Sequence, residues 1–136
     1  MTAAGGRAVQ VTKNGGTEPL ESLDGKFLYY KRDQGIRKMP VDGGDETEVL
    51  RLGAHTIWAL SEPGIALLEP DATGGPVIEF LHFSTGRRTQ ILKLPMKPEG
   101  YIGSMATLAI SSDARWILYQ QFDRHEGDIV LVESFR

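Results

Sequence analysis

The chain has 136 residues, enough for one folded domain or part of one, and it is too short to hold a second full domain. Its sixteen glycines and seven prolines are spread along the whole length, a composition typical of short elements joined by turns rather than of long helices. Fifteen basic and eighteen acidic residues give a formal charge of −3 with no basic stripe, which argues against nucleic-acid binding.

Cysteine is absent, which excludes a disulfide framework and a thiolate metal site and favours the cytoplasm as the default compartment. No apolar h-region follows Met1, so no secretory signal is predicted. The apolar runs are far shorter than the roughly 20 residues that span a bilayer. These features predict a soluble protein with no membrane segment.

In chain order, one pattern of turn, apolar run, second turn and β-rich segment occurs three times. The copies are residues 22–30 (Ser-Leu-Asp-Gly-Lys-Phe-Leu-Tyr-Tyr), residues 61–68 (Ser-Glu-Pro-Gly-Ile-Ala-Leu-Leu) and residues 111–119 (Ser-Ser-Asp-Ala-Arg-Trp-Ile-Leu-Tyr). Aligning Phe27, Ile65 and Trp116 gives steps of 38 and 51 residues, close to the period of a four-stranded propeller blade.

The apolar runs are too short for helices and rich in aromatic and β-branched residues, so they predict strands. Because the runs at 27–30 and 116–119 lack strict alternation, we expect both faces of these strands to be covered. Further strands are predicted at residues 36–41, 77–83 and 129–135, and outer strands at residues 8–12, 48–52 and 89–94.

With the strands of a blade lettered A to D from the centre outwards, the chain reads D-ABCD-ABCD-ABC. The fold class is thus all-β, with about three four-stranded antiparallel sheets. We expect residues 1–136 to form one partial propeller, with blades at about 15–53, 54–95 and 96–136 and with residues 7–14 as an exchanged outer strand. Unpaired strand edges are generally covered, and three blades are fewer than a closed ring needs. Either two chains exchange strands and close six blades with C2 symmetry, or the chain is a fragment of a larger protein.

A family resemblance supports this reading. Residues 22–30, followed by Gly-Ile-Arg-Lys-Met-Pro-Val-Asp-Gly-Gly at 35–44, resemble the TolB-type, WD-repeat-like bacterial propellers. The ending at residues 123–136 is similar to the carboxyl ends of propellers in large bacterial regulators. The third copy departs from the pattern at Ala114, where Gly is usual. The resemblance implies protein or peptide recognition and no universal catalytic residue.

Several polar groups could suggest chemistry, but a simpler reading is favoured for each. Residues 123–128 lack the ligand order of an EF-hand and read as a hairpin, and residues 42–46 read as a turn without phosphate-loop features. The three histidines lie in separate segments with no second ligand at metal spacing, and no nucleophile elbow surrounds Ser104. No catalytic residue, cofactor or metal site is therefore predicted. The histidines are His55, His82 and His125.

Trp58, Tyr101 and Arg88 are the candidates for partner binding, because aromatic and arginine side chains dominate binding hot spots. Tyr101 lies in a loop expected to lead into an innermost strand near a central channel, whereas Trp58 also fits the core between blades.

Two classes of function remain open. The favoured one is a non-catalytic scaffold that binds a protein or peptide and forms a homo-oligomer, most simply a dimer, through its open blade edges. The alternative is a fragment of a propeller-type hydrolase or metal-dependent lactonase-like enzyme, which requires acidic or Asn ligands converging from several blades. Only Asn14 supplies an asparagine, in a turn, which favours the scaffold.

Overall fold

The computed structural model describes residues 8–53, 56–70, 72–73, 75–95, 107–123 and 126–133. They form three antiparallel sheets, and in each sheet every strand pairs only with strands adjacent to it in the chain. The predicted all-β fold is confirmed. This described part contains no helix, and hence none long and apolar enough to span a membrane.

The three sheets contain four, four and three strands. The first sheet contains β1 (Thr17–Glu21), β2 (Phe27–Arg32), β3 (Gly35–Pro40) and β4 (Thr47–Arg51). The second sheet contains β5 (Ile57–Leu60), β6 (Gly64–Pro70), β7 (Pro76–His82) and β8 (Arg88–Lys93). The third sheet contains β9 (Leu108–Ile110), β10 (Trp116–Asp123) and β11 (Glu126–Glu133).

The predicted order D-ABCD-ABCD-ABC contains twelve strands, and eleven of them correspond to the described strands. The outer strand at residues 8–12 is the exception. These residues belong to none of the three sheets. None of the described strands pairs with this segment in the single chain, so its prediction as an exchanged outer strand stays a prediction.

The chain divides into two compact units, Met1–Arg51 with the first sheet and Leu52–Arg136 with the second and third. In the second unit, β6 is buried from Gly64 to Leu68, which confirms a strand covered on both faces. One side of the second sheet packs against the third sheet in a continuous core of Ala66, Leu68, Ile78, Phe80, Leu94, Ile117 and Tyr119.

A turn rich in hydrogen bonds joins the first two strands of the first sheet. The Ser22 hydroxyl donates to Asp24 Oδ1 over 2.6 Å and accepts from the Phe27 amide over 2.9 Å. The Lys26 amide donates to the same Asp24 oxygen over 3.1 Å. Ser111 and Asp113 repeat this arrangement before β10, so the shared Ser-x-Asp sequence reflects one turn geometry.

The corresponding turn of the second sheet is shorter. The Ser61 amide donates to the Gly64 carbonyl, whereas the Ser22 and Ser111 amides donate to the carbonyls of Phe27 and Trp116. Gly64, rather than the predicted Ile65, is therefore the structural equivalent of Phe27 and Trp116. The missing Asp-Gly explains why the middle copy is weak in sequence.

Candidate functional site

The two faces of the third sheet differ in their surroundings. Ile117 and Tyr119, on β10, point into the core shared with the second sheet, and this burial raises the pKa of the Tyr119 hydroxyl. Val132 and Val130 of β11 lie on the same side, because they are the direct partners of Ile117 and Tyr119 in the ladder.

The opposite face of the third sheet carries apolar side chains that lie open to solvent. Leu118 is 42% exposed, Ile129 79% and Leu131 52%. Leu118 is the cross-strand partner of both Leu131 and Ala109. Ile129 precedes Leu131 by two residues in β11, so its side chain lies on the same side of the sheet. We call Ala109, Leu118, Ile129 and Leu131 the third-sheet face. The expectation that residues 116–119 are covered on both sides is thus wrong for the single chain.

The second sheet shows what such a face does when it has a neighbour. The pair Ala66 and Phe80 holds the position in β6 and β7 that the pair Leu118 and Leu131 holds in β10 and β11. Ala66 and Phe80 are at most 2% exposed, because they pack against the third sheet. The third-sheet face therefore has the composition of a packing surface, and it is exposed in the described structure.

The third sheet also has an open edge. β11 pairs with β10 over eight residues, from Glu126 to Glu133, and it forms the outermost strand of its sheet. In the first and second sheets the equivalent strand is flanked by a fourth strand, β4 or β8. An unpaired strand edge offers amide donors and carbonyl acceptors that can pair with an added strand.

The structure places the predicted partner-binding residues in different settings. Trp58 is only 5% exposed, so its ring belongs to the interior of the second sheet. Arg88 forms ion pairs with both Glu69 and Glu79, and Glu69 also accepts from the Thr56 hydroxyl over 3.0 Å. Tyr101 lies outside the described residues, so its role as a binding residue stays a prediction.

The other polar groups keep structural roles where they are described. His82 contacts the Thr89 hydroxyl over 3.2 Å and packs edge-on against Phe80 beside a groove of about 790 Å³, whereas His55 and His125 lie outside the described residues. Residues 42–46 form the turn between β3 and β4, as predicted. Within the described ranges, no three His, Asp or Glu side chains are grouped as a metal site would require.

The first sheet carries a polar cluster at its surface. The Tyr30 hydroxyl donates to Glu46, which also pairs with Arg32. These bonds hold the pKa of the Glu46 carboxyl below its ordinary value, and burial together with the Glu46 bond raises the pKa of Tyr30. Residues 9–14 enclose a cavity of about 690 Å³ with Tyr30, Met39 and the turn at 41–46.

Together these features define a class. Sheets of antiparallel strands in sequential order, stacked face to face in the second unit, are blades of a β-propeller, and the third blade has three strands among the described residues. Residues 17–51, 57–93 and 108–133 are the first, second and third blades.

Solved structures of similar fold agree with this class. The chain is similar to a putative TolB from Agrobacterium tumefaciens, with a TM-score of 0.60 and 18% identity over 83% of this chain. It is also similar to a solved prolyl endopeptidase structure, with a TM-score of 0.60 and 15% identity over 86% of this chain. The fold is therefore that of TolB-like propeller blades.

The chain spans 40% of the TolB chain and 20% of the peptidase chain, so it corresponds to part of each. No model of a known protein family and no curated protein matches the sequence.

Sequence reasoning missed the third-sheet face. Its signal was present in residues 116–119, which were predicted to be covered on both sides, and in the apolar residues of the strand predicted at 129–135. The continuous apolar run indicates a covered strand, but it does not say whether the cover belongs to the same chain.

Proposed function

We propose that this chain is a non-catalytic β-propeller scaffold that binds a protein or peptide and assembles with other chains through its third blade. The observation that carries the proposal is the third-sheet face, where Leu118, Ile129 and Leu131 are exposed side by side. Their equivalents in the second blade are buried against a neighbouring blade, so a further β-sheet is the natural counterpart of this surface.

The size of the effect supports association. Full burial of a Leu or Ile side chain contributes about 1.5–3 kcal/mol, and Leu118, Ile129 and Leu131 are 42%, 79% and 52% exposed. Covering the remainder contributes roughly 3 kcal/mol, before any contribution from β11. Pairing along the open β11 edge adds backbone hydrogen bonds of about 0.5–1.5 kcal/mol each. A sheet that engages both the face and the edge would therefore bind better than one engaging either alone.

The composition supports the remaining parts of this proposal. The net charge of −3 and the absence of cysteine favour a cytoplasmic protein that contacts other proteins rather than nucleic acid or a membrane. The alternative, a propeller-type hydrolase fragment, is raised by the likeness to a prolyl endopeptidase structure. That likeness concerns the fold, and function depends on the site rather than on the fold.

The two functions predict different responses to metal ions. A metal-dependent enzyme would be stabilised by its ion in proportion to RT ln(1 + [L]/Kd). For a scaffold, we expect the midpoint of thermal unfolding to stay unchanged when calcium, zinc or manganese is added. A shift that saturates with one of these ions would favour the lactonase-like alternative.

Self-association tests the scaffold directly. We expect light scattering over a dilution series to show a species of twice the chain mass that dissociates on dilution. Leu118→Asp should weaken this association at least about a hundredfold, because a carboxylate buried without a partner costs several kcal/mol. Leu23→Asp is the matched control, since Leu23 is 63% exposed on a turn of the first blade. A wild-type chain that stays monomeric at every concentration would contradict self-assembly.

A further inference from the structure

In the part of the chain that the structure describes, the third blade has three strands, and residues 8–12 have a strand-like sequence but belong to no sheet. They read Ala-Val-Gln-Val-Thr, with Val9 and Val11 alternating with polar residues. In the structure Val9 is 76% exposed and Val11 43% exposed, so this apolar pair has no core of its own. We propose that residues 8–12 of a second copy add to β11 and complete the third blade.

The register follows from matching apolar residues. An antiparallel strand that sets Val9 opposite Leu131 also sets Val11 opposite Ile129, which places both valines on the third-sheet face. Gln10 then lies opposite Val130, as Gln90 lies opposite Glu79 in the second blade. A shift by one residue would turn both valines to the other side of the sheet, so the pattern specifies this register.

The same exchange provides a cover for the third-sheet face. Residues 13–16 link Thr12 to Thr17 at the start of β1, and these five residue steps reach at most about 18 Å. The exchanged strand is the outermost of its sheet and β1 the innermost of the next, so the span is roughly 17 Å, from three strand spacings of about 4.8 Å and one sheet spacing of about 10 Å. A nearly extended linker is therefore long enough for the first blade of the second copy to lie over the third-sheet face of its partner.

The first blade has a suitable surface for this position. Tyr30 and Met39 occupy in β2 and β3 the positions that Tyr119 and Val132 occupy in β10 and β11. In the second unit, Tyr119 and Val132 pack against the second blade. Packing Tyr30 and Met39 of one copy on Leu118 and Leu131 of the other would repeat that observed blade contact.

In the single chain, residues 9–14 lie beside the Tyr30 and Met39 surface instead. Gly16 also touches the Tyr30 ring, since a Cβ at Gly16 would be 2.7 Å from the ring atom Cδ2. Residues 8–14 therefore cover the first-blade surface in the monomer, and exchange both uncovers it and supplies the missing strand. This inference rests on the proposed function, because it names the partner of the same third-blade site.

Engineered disulfides test the exchange, since the chain has no cysteine and each introduced thiol is unique. A tagged Val9→Cys chain and an untagged Leu131→Cys chain are mixed and oxidised, so that a bond between them is intermolecular by design. We expect this mixed disulfide, and equally the Val11→Cys with Ile129→Cys pair, to form in high yield. Gln10→Cys with Leu131→Cys is the control and should form far less, because Gln10 points to the other side of the sheet.

Three results would overturn the inference. The first is a failure to crosslink at a concentration where light scattering shows the dimer. The second is a predominance of disulfides between two Leu131→Cys chains. That result would mean that two third blades pack together, and it would leave the proposed scaffold function intact. The third is a disulfide within one chain of the doubly substituted Val9→Cys, Leu131→Cys variant, which would assign the strand to the same chain. A wild-type chain without any dimer would instead contradict the proposed self-assembly itself.

Discussion

At the residue scale, the Ser-x-Asp turns show how two side chains replace missing backbone bonds. Asp24 accepts from Ser22 and from the Lys26 amide, and Asp113 accepts from Ser111 and the Arg115 amide. These hydrogen bonds lower the pKa of both carboxyl groups, and the bond from the serine hydroxyl has the largest effect. Each turn thus fixes the entry of a central strand, β2 or β10.

Replacing the turn serine tests this role. We expect Ser22→Ala to lower the free energy of unfolding by about 1 kcal/mol, because the Phe27 amide and the Asp24 carboxylate both lose a partner. Urea unfolding followed by tryptophan fluorescence measures the change. Ser84→Ala is the matched control, because Ser84 is exposed on the turn between β7 and β8. Equal effects of the two substitutions would show that the turn bonds do not contribute.

The lowered pKa values of Asp24 and Asp113 predict a pH dependence. As the pH falls below the ordinary pKa of 3.8, these carboxyl groups are protonated in the unfolded chain before they are protonated in the folded one. Their contribution to stability is therefore fully present above that pH and is lost as the pH falls through the lower pKa values of the folded chain. The double variant Asp24→Asn, Asp113→Asn should lose less stability than wild type over this acidic range. Urea unfolding at a series of pH values makes the comparison, and parallel curves would contradict it.

Ala114 stands in the left-handed region with φ of 55°, where the matching turn of the first blade has Gly25 with φ of 69°. A Cβ in this region costs about 1–2 kcal/mol. We expect Ala114→Gly to raise the free energy of unfolding by about 0.5–1 kcal/mol after the greater freedom of glycine in the unfolded chain is counted. Gly25→Ala should change it by a similar amount in the opposite direction, and both are measured by urea unfolding.

At the scale of elements, β6 and β10 look alike in sequence and differ in surroundings. Leu67 in β6 is fully buried, whereas Leu118 in β10 is 42% exposed. We expect Leu67→Ala to lower the free energy of unfolding by about 2–5 kcal/mol, and Leu23→Ala on an exposed turn to lower it by less than about 1 kcal/mol. Differential scanning calorimetry of the two variants makes the comparison, and similar losses would contradict the burial pattern.

This difference also marks what sequence could and could not predict. The strands from 27 to 133 were predictable, because apolar runs bounded by turn residues depend on local chemistry. The lack of a described pairing partner for residues 8–12 and the exposed face of β10 were not, since both depend on a neighbour that local patterns do not specify. Of the predicted binding residues, Trp58 lies in the interior and Arg88 is held by two glutamates.

At the scale of the whole molecule, the three blades are fewer than the four to eight of closed propellers. Two copies that exchange residues 8–12 would bring together six blades, each with four strands. In the proposed dimer, the exchanged strand therefore pairs with the open edge of β11, and the first blade of the other copy covers the third-sheet face.

Such a dimer couples folding to concentration. If the exchanged strand stabilises the blades, each tenfold increase in protein concentration should add about 1.4 kcal/mol to the apparent free energy of unfolding. Thermal unfolding at several concentrations measures this effect for wild type. Leu118→Asp should remove it, and a wild-type midpoint that does not move with concentration would contradict the coupling.

The sequential pairing of strands has a further consequence for how the protein is made. Each ladder joins neighbours along the chain, so loop closure is short and each blade can form soon after its residues leave the ribosome, from the first blade to the third. The proposed exchange is different in kind, because it waits for an encounter between two chains. In the cell, maturation of this protein would then be set by its rate of synthesis, and a scarce chain would spend longer as a monomer with its last blade open to proteases and chaperones.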